Sequence, residues 1–466
     1  MRLPLFNIKI YAIIILIFVF YIGLFFISNL VSERQHYQQN FLQDISQSQI
    51  SEQSIVSPYI RIPYELKKIC TNEKKENYDC IETQWTYIGA KNTDWRGQFN
   101  VSNNTYKRSI YRATSYDADF NAIGEFAKEN LSVQNYLWNK AEIVFPIRDA
   151  RGLKSKPTMQ IGTTTYQFDF TKQNKEKNGF DFMSISAEQH PELITAIQNG
   201  FKFNAQLNLS GLSKFTLIPT SDAFVYQSQG NWADIKYDGQ ILPFQKQSKE
   251  QQFSAKWNNI ALGQSNLETF TSCKDTQCFK NFSQGLLSTD PEYAEKNQKI
   301  GATTEFIESA DIYTQTDRAI KYGIVIIIIS FISFFLFEVL KGLRIHPIQY
   351  SLVAIAQGLF FVLLLSISEY YAFTWAYLIA AVACISLISS YLYFVMQGLK
   401  PAVLFSLILS ALYAMVYLLL GSSGKTFLIG SIISFLLLAV VMYITRSIDW
   451  YELSNKQEGS QMKVEN

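Results

Sequence analysis

Residues 322–340 read YGIVIIIISFISFFLFEVL, with a single charge, Glu338, close to the end of the run. A helix needs about 20 apolar residues to cross the roughly 30 Å hydrocarbon core of a bilayer, and this run meets that requirement. Comparable runs lie at 10–31, 350–367, 370–395, 401–420 and 426–444, so six spans are expected. Between the first and second lies a polar stretch rich in Asn, Gln, Ser and Thr. Of the 466 residues 48% are apolar, but so unevenly spread that a simple soluble enzyme is excluded. A formal charge of +2 argues against a nucleic-acid partner. The expected partner of the apolar runs is the lipid bilayer.

Lys and Arg near the span ends set the orientation. With the N-terminus inside, the inner segments hold Arg2, Lys9, Lys341, Arg344, Lys400, Arg446, Lys456 and Lys463. The short outer loops hold only Lys425, apart from Arg34, Arg318 and Lys321 beside the long insert. Both termini are therefore expected in the cytoplasm and residues 32–319 outside. The first run exceeds a signal-peptide core and no small-x-small cleavage site follows, so it reads as an uncleaved anchor. Trp450 and Tyr451 suit an interfacial aromatic belt. The division is 1–31 (short N-terminus and anchor), 32–319 (exterior domain), 320–445 (bundle of five transmembrane helices) and 446–466 (cytoplasmic tail).

Period-two alternation marks the insert. In Phe201-Lys-Phe203-Asn-Ala205-Gln-Leu207-Asn-Leu209 every second residue is apolar, and 166–170 and 253–257 repeat the pattern. That is the signature of half-buried antiparallel strands, punctuated by turns at Asn199-Gly200, Ser210-Gly211 and Asp238-Gly239. A large mainly-β, sandwich-like domain with minor helices is expected, the helices around 124–138 and 187–197. Residues 33–53 extend the first helix or link it to the domain. Glu305, Glu308 and Asp311, three apart, read as one solvated helix face.

Four cysteines fall in the insert. Local pairing, Cys70–Cys80 and Cys273–Cys278, is the simplest of three connectivities in an oxidising compartment. Cross-pairing and a four-thiolate zinc site are the alternatives, the latter opposed by the lack of a CxxC. Cys384 lies inside the fourth span and reads as a packing residue.

Chemistry is scarce. His36 and His190 have no ligand cluster at useful spacing, and neither HExxH nor GxSxG occurs. The string GSSGKT at 421–426 resembles a P-loop end, and Ser422 with Lys425 the SxxK spacing, yet it sits between spans and reads as a turn. Asp117 and Asp119 share a strand face, where paired carboxylates can do acid–base work or bind calcium; a solvated face is the plainer reading. Arg148, Asp149 and Arg151 read as a turn held by charge-assisted hydrogen bonds. No catalytic, cofactor-binding or metal residue emerges. In the spans, Glu338 lies at an inner end, where it can pair with Lys341 or Arg344, and Glu369 in an outer turn. Gln357 is placed for interhelical hydrogen bonding. The inner loop bearing Glu338, Lys341, Arg344, His346, Pro347 and Gln349 is either a docking point for a cytoplasmic partner or a topological turn.

Several strings are similar to the CreD (Cet) family of inner-membrane proteins. TDRAIKYGIVIIIISFISFFLFEVLKGLRIHPIQYSLVAI at 316–355 carries the family's DRA-KY, F-FE and HP-QY elements, and LLLSISE at 363–369 and TRSIDWY at 445–451 continue the likeness. SERQHY, SPYIRIP, RDARG, LNLSG and AKWNNIALG follow in order through the insert. The four exterior cysteines, the Asn/Gln richness and the stretch 273–291 depart from the family. The resemblance implies an anchor helix, a periplasmic domain and a five-helix bundle in the inner membrane. It also implies induction within a two-component stress regulon and a role in envelope integrity, without enzymatic activity. Three readings result: envelope maintenance through an unidentified periplasmic or outer-membrane component bound by the β domain; a transporter or lipid-handling protein using the bundle; and a periplasmic cell-wall or glycan enzyme using Asp117 and Asp119.

Overall fold

The structure, a computed structural model, describes residues 5–71, 77–129, 131, 135–171, 179–273, 275–286, 299–307, 312–341, 345–395, 398–421 and 426–446. The chain divides into two compact units, Met1–Gln39 with Ala310–Asn466, and Asn40–Ser309.

The first unit is helical. Helix α1 (Leu5–Ser48) runs on well past its apolar stretch, through the polar residues after Val31. Among the described residues five helices are long and apolar enough to cross a membrane, α1 and four from the C-terminal half. A sixth apolar helix follows them, and the last five are named below. Their outward side chains are apolar too: Ile355, Val382 and Leu407 are 58%, 58% and 62% exposed. A protein in water buries such a continuous surface, whereas a bilayer solvates it.

The second unit is a two-sheet sandwich. Strand β1 (Gln53–Val56) precedes two long hairpins, β2 (Tyr59–Thr71) with β3 (Asn77–Gly89) and β4 (Asn92–Arg108) with β5 (Tyr111–Phe126). Then come β6 (Glu142–Ile147), β7 (Thr158–Ile161), β8 (Thr164–Gln167), β9 (Asp169–Phe170), β10 (Asp181–Ser186) and the short helix α2 (Glu192–Asn199). Strands β11 (Phe201–Leu212), β12 (Lys214–Ile218), β13 (Ala223–Gly230), β14 (Ile235–Gly239), β15 (Gln245–Lys249) and β16 (Gln252–Asn259) follow. Helices α3 (Gly263–Ser272) and α4 (Thr276–Ser283) and strand β17 (Ala302–Phe306) complete it. The C-terminal helices are α5 (Ile312–Lys341), α6 (Pro347–Ser368), α7 (Phe373–Val395), α8 (Leu399–Gly421) and α9 (Thr426–Thr445).

One sheet has nine strands, in the order β14-β17-β12-β1-β6-β10-β9 with β2 and β3 branching from β6. The other has eight, β15-β16-β13-β4-β5-β11-β7-β8. Their inner faces interlock through aromatic rings: Phe120 stacks on Phe215 at 4.6 Å, and Phe99 meets Phe306 at 5.2 Å. Most pairings are antiparallel, but β1 runs parallel to β12 and β4 parallel to β13. Alternation reports that one face is buried and is blind to strand direction.

Two helical expectations fail. In the stretch 124–138, β5 runs up to Phe126, and among the described residues that follow a single 3-10 turn forms at Trp138–Lys140. Phe126 lies opposite Phe201 of the antiparallel partner β11, and Tyr136 bridges to Tyr64 of β2. Glu305 is in strand β17 rather than on a helix, paired with Lys236 at 2.9 Å; Glu308 and Asp311 lie outside the described residues. The remaining helical expectation, 187–197, does overlap α2.

Gly263, first residue of α3, shows how tightly the loops are packed. A Cβ there would lie 1.9 Å from the backbone oxygen of Ser221. Gly263→Ala therefore forces backbone apart, and a loss of about 1–3 kcal/mol is expected in thermal unfolding of the full chain.

Candidate functional site

The outer face of the eight-stranded sheet gathers side-chain amides from strands far apart in sequence. Alternation fixes which residues point outward, and the register brings them into rows. One row crosses the sheet through Gln245, Lys256, Gln227, Arg96, Asn121 and Gln206. The next crosses through Gln247, Ser254, Gln229, Gln98, Asp119 and Asn208. Their inward neighbours, such as Trp95, Phe120, Leu207 and Trp257, are core.

Parts of this face are already ordered. Gln229 Nε2 donates to Gln98 Oε1 at 2.7 Å, Asn208 Nδ2 to Asp119 Oδ1 at 2.5 Å, and Asn231 Nδ2 to Asn100 Oδ1 at 3.0 Å. Asn121, Gln206 and Gln227 have no side-chain hydrogen-bond partner among the described residues. Two adjoining shallow hollows, about 350 and 400 Å³, lie over the rows and share Gln98 and Gln229. Arg96 pairs with Asp94 at 3.2 Å.

Asp117 and Asp119 do share this outward face, but each is engaged separately. Asp117 pairs with Lys154 at 2.7 Å and accepts from Ser210 Oγ. Although partial burial opposes it, hydrogen bonds from Lys154 and Ser210 and the charge of Lys154 hold the Asp117 carboxyl below its ordinary range. A carboxylate so stabilised is a poor general acid.

A second cluster centres on the RDARG turn. Asp149, 6% exposed, accepts from the Ser51 amide at 2.9 Å and from Arg151 Nε and Nη2 at 2.8 and 2.7 Å. Arg151 in turn donates to the carbonyls of Gln47 and Ser46, the last turn of α1. Those carbonyls lack intrahelical donors, and a cation there is doubly favoured. Arg148 pairs with Glu52 at 3.0 Å. Phe41 and Ile45 of α1 pack nearby against Ala113 and Leu212. The turn is thus a structural clamp on the end of α1. Burial works to raise the Asp149 pKa, but hydrogen bonds from Arg151 and Ser51 and the charge of Arg151 outweigh it and leave it below the ordinary carboxylate value.

In the helical unit, the start of α6 is capped from within. Glu338 is buried, accepting from Tyr350 OH at 3.0 Å and from the Ile345 amide. His346 caps α6: its Nδ1 accepts from the Ile348 amide, and Gln349 Oε1 accepts from the His346 amide at 3.0 Å. Pro347 occupies the first helical position, where a missing N–H costs nothing. Arg344 and the Lys341 side chain lie outside the described residues, as do residues 422–425 and Trp450 and Tyr451. Gln357 Nε2 donates to Ser330 Oγ at 2.7 Å, linking α6 to α5. Glu369 faces Arg34 at 3.7 Å.

Cys70 is joined to Cys80 and Cys273 to Cys278, with Cα separations of 5.8 and 5.6 Å. Cys384 is buried as a thiol. Beyond Glu65 the β2–β3 hairpin has no third strand among the described residues, and a two-stranded ribbon is marginal in water. The short Cys70–Cys80 loop supplies about 2–3 kcal/mol of constraint. Replacing both cysteines with Ser should speed amide exchange at least tenfold at 66–69 and 79–82 while leaving the sandwich core unchanged.

The amide rows escaped the sequence reading. Their signal was present in the polar half of each alternating run, which in β4, β11 and β13 carries Asn and Gln more often than Lys or Glu. Among the described residues no group of three or more His, Cys, Asp or Glu could hold a metal ion.

Among the described residues six apolar helices, five of them long and apolar enough to cross a membrane, with one large β unit between the first and second, define a multi-pass membrane protein. The family described as Inner membrane protein CreD matches residues 5–451, and the chain belongs to that family. It is 29% identical over 439 residues to the Inner membrane protein CreD of Escherichia coli (strain K12), covering 93% of this chain and 91% of that protein. It is thus a multi-pass inner-membrane protein. Among solved structures, an M1 zinc metallopeptidase from Deinococcus radiodurans is similar over 37% of this chain and 39% of that one, at 8% identity and a TM-score of 0.19. A likeness that slight carries no argument.

Proposed function

We propose that this chain is a non-enzymatic envelope-maintenance protein with both termini cytoplasmic. Its β unit faces the periplasm and binds a periplasmic or outer-membrane component, while the helices hold it in the lipid bilayer. The observation that carries the reading is the amide-rich outer face of the eight-stranded sheet. It spans five inter-strand steps and leaves Asn121, Gln206 and Gln227 without side-chain hydrogen-bond partners among the described residues. Membership of the CreD family supports it. The bias of Lys and Arg supports the orientation.

The test is detergent sensitivity and periplasmic leakage in a strain lacking the protein. The full chain is expected to restore resistance, and Asn121→Ala/Gln206→Ala/Gln227→Ala, inserted to the same level, is expected to fail. Full rescue by that variant would overturn the reading. An alkaline phosphatase fused to the C-terminus is expected to be inactive; activity would reverse the orientation.

A further inference from the structure

We propose that the amide-bearing face of the eight-stranded sheet binds an uncharged, N-acetylated glycan chain lying across the strands. The inference deepens the preceding reading and rests on it. A side-chain amide offers a donor and an acceptor side by side, which matches a polymer of hydroxyl and acetamido groups at every repeat. The two rows contain no apolar side chain, so neither a lipid tail nor an amphipathic helix finds a surface here. Their charges are sparse and mixed. Arg96 is held by Asp94 at 3.2 Å, and Asp119 accepts from Asn208. A phosphate-bearing polymer would need clustered cations instead. An extended peptide adds at a sheet edge, and here the edges are β15 and β8 while the rows lie on the face.

Geometry agrees with chemistry. Adjacent strands are about 4.8 Å apart, so each row runs about 24 Å with one polar side chain per step. A chain-form sugar residue is of similar length, so successive sugars meet successive side chains. The hydrogen bonds Gln229–Gln98 and Asn208–Asp119 fix part of the face in advance, which lowers the ordering cost on binding. Asn121, Gln206 and Gln227 remain for the ligand, and the hollow of about 350 Å³ over them is within the size range of small-ligand sites.

The experiment is calorimetric titration of the full chain in lipid nanodiscs with chitohexaose, with cellohexaose as the comparator lacking acetamido groups. Chitohexaose is expected to bind, cellohexaose to bind at least fivefold more weakly, and Asn121→Ala/Gln206→Ala/Gln227→Ala to lose at least tenfold. Gln227→Glu, which keeps the size and removes the donor, is expected to lose severalfold and guards against misfolding of the triple variant. No binding at millimolar chitohexaose, or equal affinity in both variants, would overturn the proposal. If chitohexaose does not bind yet the triple variant still fails to rescue the strain, the glycan is wrong and the envelope partner stands. Full rescue by the triple variant removes both.

Discussion

Phe99→Ala is expected to cost the β unit about 3–5 kcal/mol, the range for truncating a fully buried aromatic. Phe99 is 1% exposed and its ring lies within 6.2 Å, centroid to centroid, of Tyr116, Phe120, Phe215, Phe253 and Phe306. Three of these partners come from its own sheet and two, Phe215 and Phe306, from the opposite one. Removing the ring opens a cavity where the sheets meet, and neither rigid sheet can collapse into it. Near-UV circular dichroism of the full chain during thermal unfolding checks the prediction. Phe99→Leu, which fills most of the volume, should lose much less. Equal losses for the two would mean that ring packing is not what joins the sheets.

Asp149→Asn is the second large effect, with an expected loss of about 2–3 kcal/mol. The neutral amide keeps the shape but turns a donor toward groups that are themselves donors, the Ser51 amide and Arg151. The Arg151 side chain is 47% exposed, so solvent screens its half of the interaction. Most of the loss comes from the buried Ser51 amide. The effect depends on pH with a definite sign. The Asp149 carboxyl sits below its ordinary value of 3.8 in the folded chain. Its contribution is therefore complete above that value and is lost as pH falls through the lowered folded one. The gap between wild type and Asp149→Asn should be full at pH 7 and narrow only under strong acid. A gap that stayed constant into acid would show that the carboxylate charge is not involved. Loss of the clamp should also fray the last turn of α1, read as faster amide exchange near Gln47 and Ser48.

The membrane helices were legible because a bilayer leaves the chain no alternative. With no water to satisfy backbone groups, a run such as 322–340 must form a helix, and hydropathy alone finds it. Even so, α5 begins at Ile312 and α1 continues to Ser48, because polar turns beyond the apolar core still satisfy their own backbone. The RDARG turn was legible for a related reason: its charges are neighbours in sequence. Its target, the end of α1, was not.

Hydropathy and alternation by themselves determined the spans, the single large β unit and the inward face of strands such as β11. Those are properties of local sequence against a solvent, water or lipid. Tertiary structure alone decided that β4 lies parallel to β13, setting Gln98 beside Gln229 across 131 residues of chain. It also carried β5 through Gly124 to Phe126 as strand rather than helix, and gathered scattered Asn and Gln residues into two continuous rows. Strand order and register come from how two apolar faces close on each other, a long-range choice that a period of two leaves open.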